Sequence, residues 1–198
     1  MRFASMRHVA LWIVVACGIF TAATTATSAG QSAAACGSRL WGLKTLSDPG
    51  RRLIYLRPRP TTIAEVNARP MPRRTPTWRS RGYARHVWKL VAQIVEYKLE
   101  ANGDIHLILF DGGDYMIAKL PSPACLPRRS RDRKAIVSAR RTFESQCGPV
   151  TNRWQFLGAI VYMSGVGFWD FPHGQRGHAR NYADLHPVTE IRFIAGCS

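Results

Sequence analysis

Acidic residues are scarce in this sequence, and the first 29 residues contain none. The 198 residues include 12 Asp and Glu against 28 Lys and Arg, which gives a formal net charge of +16 at pH 7. A hydrophobic content of 46% and a charged content of 20% exclude a wholly disordered chain and a polytopic membrane protein. The excess of positive charge predicts attraction to polyanions.

The usual signatures of catalysis and metal binding are also missing. The sequence has no Gly-rich phosphate loop, no G-x-S-x-G, no H-E-x-x-H and no EF-hand loop. Its five cysteines show no C-x-x-C spacing, which argues against a zinc–thiolate site. No particular reaction is therefore predicted by motif.

The N-terminal residues have the pattern of an export signal. A basic start precedes an apolar run, Val9 to Phe20, that is shorter than the about 20 residues needed to span a bilayer. A signal peptide of residues 1–29 is one interpretation, and a lipoprotein signal to Ala16 with lipidated Cys17 is the other. We expect an exported protein, periplasmic or secreted, either free or lipid-anchored, with no transmembrane span in the mature chain.

Removal or lipidation of Cys17 leaves four cysteines, an even number that suits an oxidising compartment. Cys125 and Cys147 flank one predicted helix, so we expect the disulfide Cys125–Cys147. Cys36–Cys197 would then join the two ends of the domain. Closing the shorter loop would stabilise the fold by about 3 kcal/mol.

A change in composition after residue 85 divides the rest of the chain into two segments. Residues 30–85 are rich in Pro and Arg, which predicts an extended arm with one short helix at Thr61–Ala68. Thr62 and Glu65 have the spacing of a capping box at its start. Residues 86–198 form the predicted barrel domain.

Residues 86–121 alternate between apolar and polar in the manner of a β-meander, with turns at Asn102-Gly103 and Gly112-Gly113. Residues 131–147 change to helical spacing. Two further strand segments follow, at 154–171 and 188–196.

The order of three strands, a helix and two strands (βββαββ) is that of an OB-fold. We therefore expect a mainly β protein with one helix: an OB-like five-stranded β-barrel with a Pro/Arg-rich N-terminal arm. A lipocalin-like barrel and a split α+β sandwich are the alternatives. Gly165 and Gly167, inside the fourth strand, indicate a bend or bulge.

Two groups of polar residues are candidates for chemistry. Asp104 and His106 lie two apart on one strand and point the same way, so the pair could orient a general base or share a metal. Alternatively, Asp104 closes the preceding turn. The second group occupies a loop that either wraps a ligand or is made rigid by its own side chains. It comprises His173, Gln175, His178, Asn181, Asp184 and His186. The strand order could bring His106 close to His186.

Arginine is concentrated between residues 51 and 85, where ten Arg face a single acid, Glu65. Trp78 and Tyr83 are interleaved with them, and residues 128–134 form a second basic patch. Arg binds phosphate in a fork and aromatic rings offer stacking platforms, so this composition favours a nucleic acid or another polyanion. A solvated Arg-rich surface is the alternative.

The segments D-I-H-L, P-A-C, G-V-G-F-x-D-F-x-H-G-Q and L-H-P-V resemble an uncharacterised family of bacterial exported proteins. The resemblance runs from about Trp88 to Phe193. It implies the Cys125–Cys147 bridge and no established activity. Tyr182 and Asp184 replace the Gly and Glu that are usual in the family, so its loop would be less tight here.

These observations favour an extracytoplasmic binding module for an anionic ligand or surface: nucleic acid, or a phosphate-bearing glycan or lipid. The predicted ligand-binding residues are Arg73, Arg74, Arg79, Arg81, His173, Gln175, Asn181 and His186. The first alternative is a metal-dependent phosphodiester hydrolase, in which a divalent ion activates water. Its catalytic candidates are Asp104, His106 and His186, and its metal ligands would be drawn from His106, His173, Asp184 and His186. The second alternative is an envelope structural protein.

Overall fold

The computed structural model describes residues 36–197; the predicted export signal, with Cys17, lies outside them. The mainly β class is confirmed. Six strands are described, at Tyr55–Pro60 (β1), His86–Leu99 (β2), Ile105–Asp111 (β3), Asp114–Leu120 (β4), Gln155–Trp169 (β5) and Ala183–Ala195 (β6). The helices are Trp41–Lys44 (α1), Ile63–Asn67 (α2) and Arg133–Cys147 (α3). None of the helices within residues 36–197 combines the length and the apolar character needed to cross a membrane.

Five of the strands pair in a closed ring. β2 pairs with β3, β3 with β4, β4 with β6, β6 with β5, and β5 returns to β2. The β4–β6 pairing is parallel and the other four are antiparallel. β1 lies outside the ring and pairs in parallel with β2.

The ring can enclose a core because buried and exposed residues alternate along its strands. Along β2, Trp88, Leu90 and Ile94 are buried in the main core, while Lys89 and Val91 between them are exposed. Side chains of alternate residues point to opposite faces of a strand, so one face of each strand can fill the core.

The predicted bulge in β5 is also present. The β5–β6 register shifts at Gly165 and again before Gly167. A Cβ atom at Gly167 would overlap the carbonyl oxygen of Tyr83, so only glycine fits this close approach.

The Pro/Arg-rich segment packs against the ring. Its helix α2 starts with the predicted capping box: the Thr62 hydroxyl accepts from the Glu65 amide, and the Glu65 carboxylate accepts from the Thr62 amide, both at 3.1 Å. Ile63 and Val66 of this helix are fully buried in the main core. The segment therefore supplies part of the apolar core.

α3 is held by a buried arginine as well as by apolar contacts. Ile136 and Phe143 are fully buried. Arg140 donates to the carbonyl oxygens of Gly103 at 2.7 Å and Leu120 at 2.8 Å. These bonds join the helix to the β2–β3 turn and to the end of β4.

The disulfide prediction was wrong. The bonds are Cys36–Cys125 and Cys147–Cys197, not Cys125–Cys147 and Cys36–Cys197. Cys125 precedes the 15-residue α3 and Cys147 is its last residue. A helix of that length rises by about 22 Å, so flanking it in sequence does not bring two cysteines together, and each of them bonds instead to a cysteine near one end of the described chain.

Candidate functional site

The predicted Asp/His residues belong to a buried polar cluster, defined here as Glu100, Asp104, His106, Lys119, Asp184 and His186. Lys119 lies between Ala118 and Leu120 on β4, and His186 follows Leu185 on β6. Because those neighbours point into the main core, the polar side chains point to the other face of the sheet. β6 begins five residues earlier than predicted, at Ala183, and this places Asp184 and His186 inside the strand.

Glu100 is the centre of one half of the polar cluster. Its carboxylate accepts from Lys119 Nζ at 2.6 Å and from His106 Nδ1 at 3.0 Å. Burial alone would raise the pKa of Glu100, but the bond from His106 and the charge of Lys119 lower that pKa to about 2. The carboxylate is therefore ionised and fully engaged.

Asp104 and His186 form the other half. Asp104 Oδ2 lies 3.5 Å from His186 Nε2 and accepts a 3.0 Å hydrogen bond from Asn102. Asp104 thus closes the hairpin turn, which was the alternative to its pairing with His106. Burial is the largest cause that raises the pKa of Asp104, to about 6. Burial, together with the charges of Lys44 and Lys119, holds the pKa of His186 well below its usual range.

The polar cluster is buried apart from Glu100, whose side chain is 18% exposed. Asp104 is 0% and His186 is 1% exposed. The ring of Trp154 packs edge-on against His106 at 5.1 Å, and Phe168 packs against His186 at 5.6 Å. A general base must reach the proton that it removes, so these residues are not placed as catalysts in this structure.

The predicted metal ligands are not assembled. Within residues 36–197, no three His, Cys, Asp or Glu side chains are grouped so that they could hold a metal ion. His173 lies in the exposed loop after β5, where its ring stacks on Phe171 at 4.2 Å. Burial, followed by the charge of Asp170, holds the pKa of Asp184 well above its usual range, which disfavours the ionised form that a metal ligand needs.

Three of the predicted ligand-binding residues, Asn181, His186 and Arg79, are buried and contact the protein itself, so the structure does not present them to a ligand. Asn181 is buried and donates to the carbonyl oxygens of Val66 at 2.7 Å and Arg69 at 3.0 Å. His186 is inside the polar cluster. Arg79 is 2% exposed and forms a 2.7 Å ion pair with Asp48. Desolvation is the main cause that lowers the pKa of Arg79, and the Asp48 carboxylate opposes it.

The remaining predicted arginines, Arg73, Arg74 and Arg81, are exposed. Arg74 and Arg81 line a surface groove of about 690 Å³, which we call the arginine groove. Its lining consists of Arg69, Pro70, Pro72, Arg74, Thr75, Pro76, Thr77, Trp78, Ser80, Arg81, Gly82, Tyr83 and Trp169. None of these side chains is acidic.

The arginines of this groove keep their charge unneutralised. Across the described part of the chain, neither Arg74 nor Arg81 forms an ion pair or a side-chain hydrogen bond. The guanidinium of Arg69 lies 4.3 Å above the Trp88 ring, and within residues 36–197 it forms no ion pair. Three cations without counter-charges in one concave surface favour an anion.

Three aromatic residues contribute to the lining of the arginine groove. Trp78 is 69% exposed, although large aromatic side chains are usually buried. Tyr83 and Trp169 are buried beneath, with ring centroids 5.1 Å apart. Sequence reasoning missed Trp169 because it comes from the end of β5, and missed Arg69 because nothing distinguished it from its basic neighbours.

Comparison with known proteins adds little about function. No family model matches the chain, and no curated protein matches it. Among solved structures, a proposed aspartyl-tRNA synthetase from Leishmania major Friedlin is similar, with 12% identity and a TM-score of 0.41. The match covers 70% of this chain and 21% of that one.

Proposed function

We propose that the protein is an extracytoplasmic binding module that takes a phosphate-bearing polyanion into the arginine groove. The observation that carries the proposal is the set of three arginines, Arg69, Arg74 and Arg81, in a concave surface without an acidic side chain. Guanidinium groups bind phosphate through paired N–H donors and keep their charge at any physiological pH.

The fold and the compartment in this proposal have their own support. The ring β2–β3–β4–β6–β5, with one parallel pairing and α3 between β4 and β5, supports an OB-like barrel. The two disulfides support an oxidising compartment outside the cytoplasm. Export by the N-terminal segment, with or without lipid at Cys17, is part of the same proposal.

The loop geometry explains why the groove would be ready to bind. Pro70, Pro72 and Pro76 restrict its backbone, which lowers the entropy lost when a ligand orders it. Beside it, the buried Arg79–Asp48 ion pair fixes the same loop to the segment after α1, and Arg79 also donates to the carbonyl oxygen of Leu43 at 2.8 Å. The exposed arginines therefore project from a braced loop.

Binding of a labelled abasic oligodeoxynucleotide, which offers phosphates without bases, tests the proposal by fluorescence anisotropy at low salt. The double variant Arg74→Ala/Arg81→Ala should bind about thirty-fold more weakly, because each of the two cations near a phosphate surface contributes on the order of 1 kcal/mol. Arg141→Ala/Arg153→Ala is the matched control, since both residues are exposed, both lie outside the arginine groove and the second basic patch, and the change in net charge is the same. Equal losses in the two double variants would contradict the proposal.

A further inference from the structure

The arginine groove contains more than a phosphate needs. Trp78 presents its ring to solvent within reach of Arg74 and Arg81, which line the same concave surface. Exposing an indole ring to water is unfavourable, and the ring would add nothing to the binding of a phosphate group alone. A ligand with a flat apolar group as well as a phosphate would use both features.

The lining argues against a lipid. An acyl chain is best covered by branched aliphatic side chains, yet none of the groove residues is Leu, Ile, Val or Met. The apolar surface comes from proline and aromatic rings. Flat rings match a flat partner better than they match a flexible chain.

The lining also argues against a sugar. Recognition of sugar hydroxyls needs side chains that accept hydrogen bonds, chiefly carboxylates and amides. The groove has no Asp, Glu, Asn or Gln. Its strong polar groups are donors, the guanidiniums of Arg69, Arg74 and Arg81, which suit phosphate oxygens and base carbonyls.

We propose that the ligand of the arginine groove is single-stranded nucleic acid, with a base stacked on Trp78 and the flanking phosphates held by Arg74 and Arg81. This proposal rests on the proposed function and makes it specific. Base stacking on aromatic rings tolerates every sequence, and a base can stack on Trp78 only when it is not paired in a duplex. The structure already contains a planar cation on a ring, Arg69 above Trp88, at the edge of the same surface.

The experiment compares oligothymidylate with an abasic oligodeoxynucleotide of equal length, so that the number of phosphates is the same. The wild-type protein should bind oligothymidylate about ten-fold more tightly, as expected for one stacked base. Trp78→Ala should abolish that preference by lowering the affinity for oligothymidylate to that for the abasic oligomer, and Trp78→Phe should retain most of the preference. Phe156→Ala is the matched control, because Phe156 is an exposed aromatic residue of β5 outside the groove.

The outcomes separate the two proposals. Equal affinity for the two oligomers, with both lowered by Arg74→Ala/Arg81→Ala, would overturn the nucleic-acid ligand and keep the polyanion site. No binding of either oligomer would overturn both. Displacement of oligothymidylate by phosphatidylglycerol vesicles at lower phosphate concentration than by unlabelled oligothymidylate would show that a membrane surface is the better ligand and would overturn the inference.

Discussion

The polar cluster and the arginine groove use charged side chains in opposite ways. In the polar cluster, the buried side chains of Lys119 and His106 share the Glu100 carboxylate, which is itself only 18% exposed. In the arginine groove, Arg74 and Arg81 face solvent with no acidic neighbour in the lining. Charges that satisfy one another stabilise a fold, whereas charges left without partners on a surface are available to a ligand.

The contrast is sharpest within one loop. Arg79 and Arg81 are two residues apart, yet Arg79 is buried against Asp48 and Arg81 is exposed. Residue type and local composition are the same for both. A basic run in a sequence can therefore contain both structural and ligand-binding arginines, and only their burial in the structure distinguishes the two kinds.

The largest expected effect is the loss of that buried ion pair. Arg79→Ala should lower the free energy of unfolding by about 3–5 kcal/mol, because the Asp48 carboxylate is left buried without its partner. Arg81→Ala should change it by about 0.5 kcal/mol or less. Urea denaturation of both variants measures the difference. Similar stabilities of the two variants would contradict the distinction between a structural Arg79 and a ligand-binding Arg81.

Glu100 provides the next test. Its folded-state pKa, about 2, lies below the usual value of 4.5, so its stabilisation is present above pH 4.5 and is lost as the pH falls towards 2. Glu100→Gln should therefore cost about 3 kcal/mol at neutral pH, with little difference from wild type near pH 2. Thermal melting across this range measures the gap. If the difference in stability between Glu100→Gln and the wild type does not decrease at low pH, an ionic role for Glu100 is contradicted.

Asp104 should show the opposite pH dependence. Its folded-state pKa, about 6, lies above the usual value of 3.8, so its contribution is most favourable below pH 3.8 and is lost as the pH rises through 6. As the pH rises from 3.8 to above 6, the free energy of unfolding of Asp104→Asn should therefore increase by on the order of 3 kcal/mol relative to that of the wild type. Melting of both proteins at paired pH values measures the gain. A gap that stays constant with pH would indicate that Asp104 is not desolvated.

Stability of the arginine groove variants should change least. Trp78→Ala removes an exposed side chain, so its free energy of unfolding should stay within about 0.5 kcal/mol of wild type. Denaturation alongside the binding assay measures this. A large loss of stability would assign Trp78 to the fold and separate it from the ligand site.

Much of the fold could be predicted from local pattern. Alternation along residues 86–99, the Asn102-Gly103 turn and the Thr62–Glu65 capping box each depend on neighbours within a few residues, and each is present. The early start of β6 was missed, because Asp184 and His186 interrupt the apolar pattern although the strand pairing continues through them.

The site was harder to predict because its decisive contacts are long-range. Asp48 and Arg79 are 31 residues apart, and nothing near either one indicates the other. Trp169 reaches the arginine groove from the end of β5. The cysteine pairing failed for the same reason: the two bonds join residues 89 and 50 positions apart, and the place of a cysteine beside a helix does not indicate its partner.

If Arg74 and Arg81 contact phosphates, their loss must change how strongly binding depends on salt. For single strands, the logarithm of the binding constant falls with the logarithm of salt concentration by about 0.7 per neutralised phosphate. Arg74→Ala/Arg81→Ala should therefore make the slope shallower by about 1.4 for oligothymidylate, while Arg141→Ala/Arg153→Ala leaves it unchanged. An unaltered slope in the groove variant would place the phosphate contacts elsewhere and contradict the account.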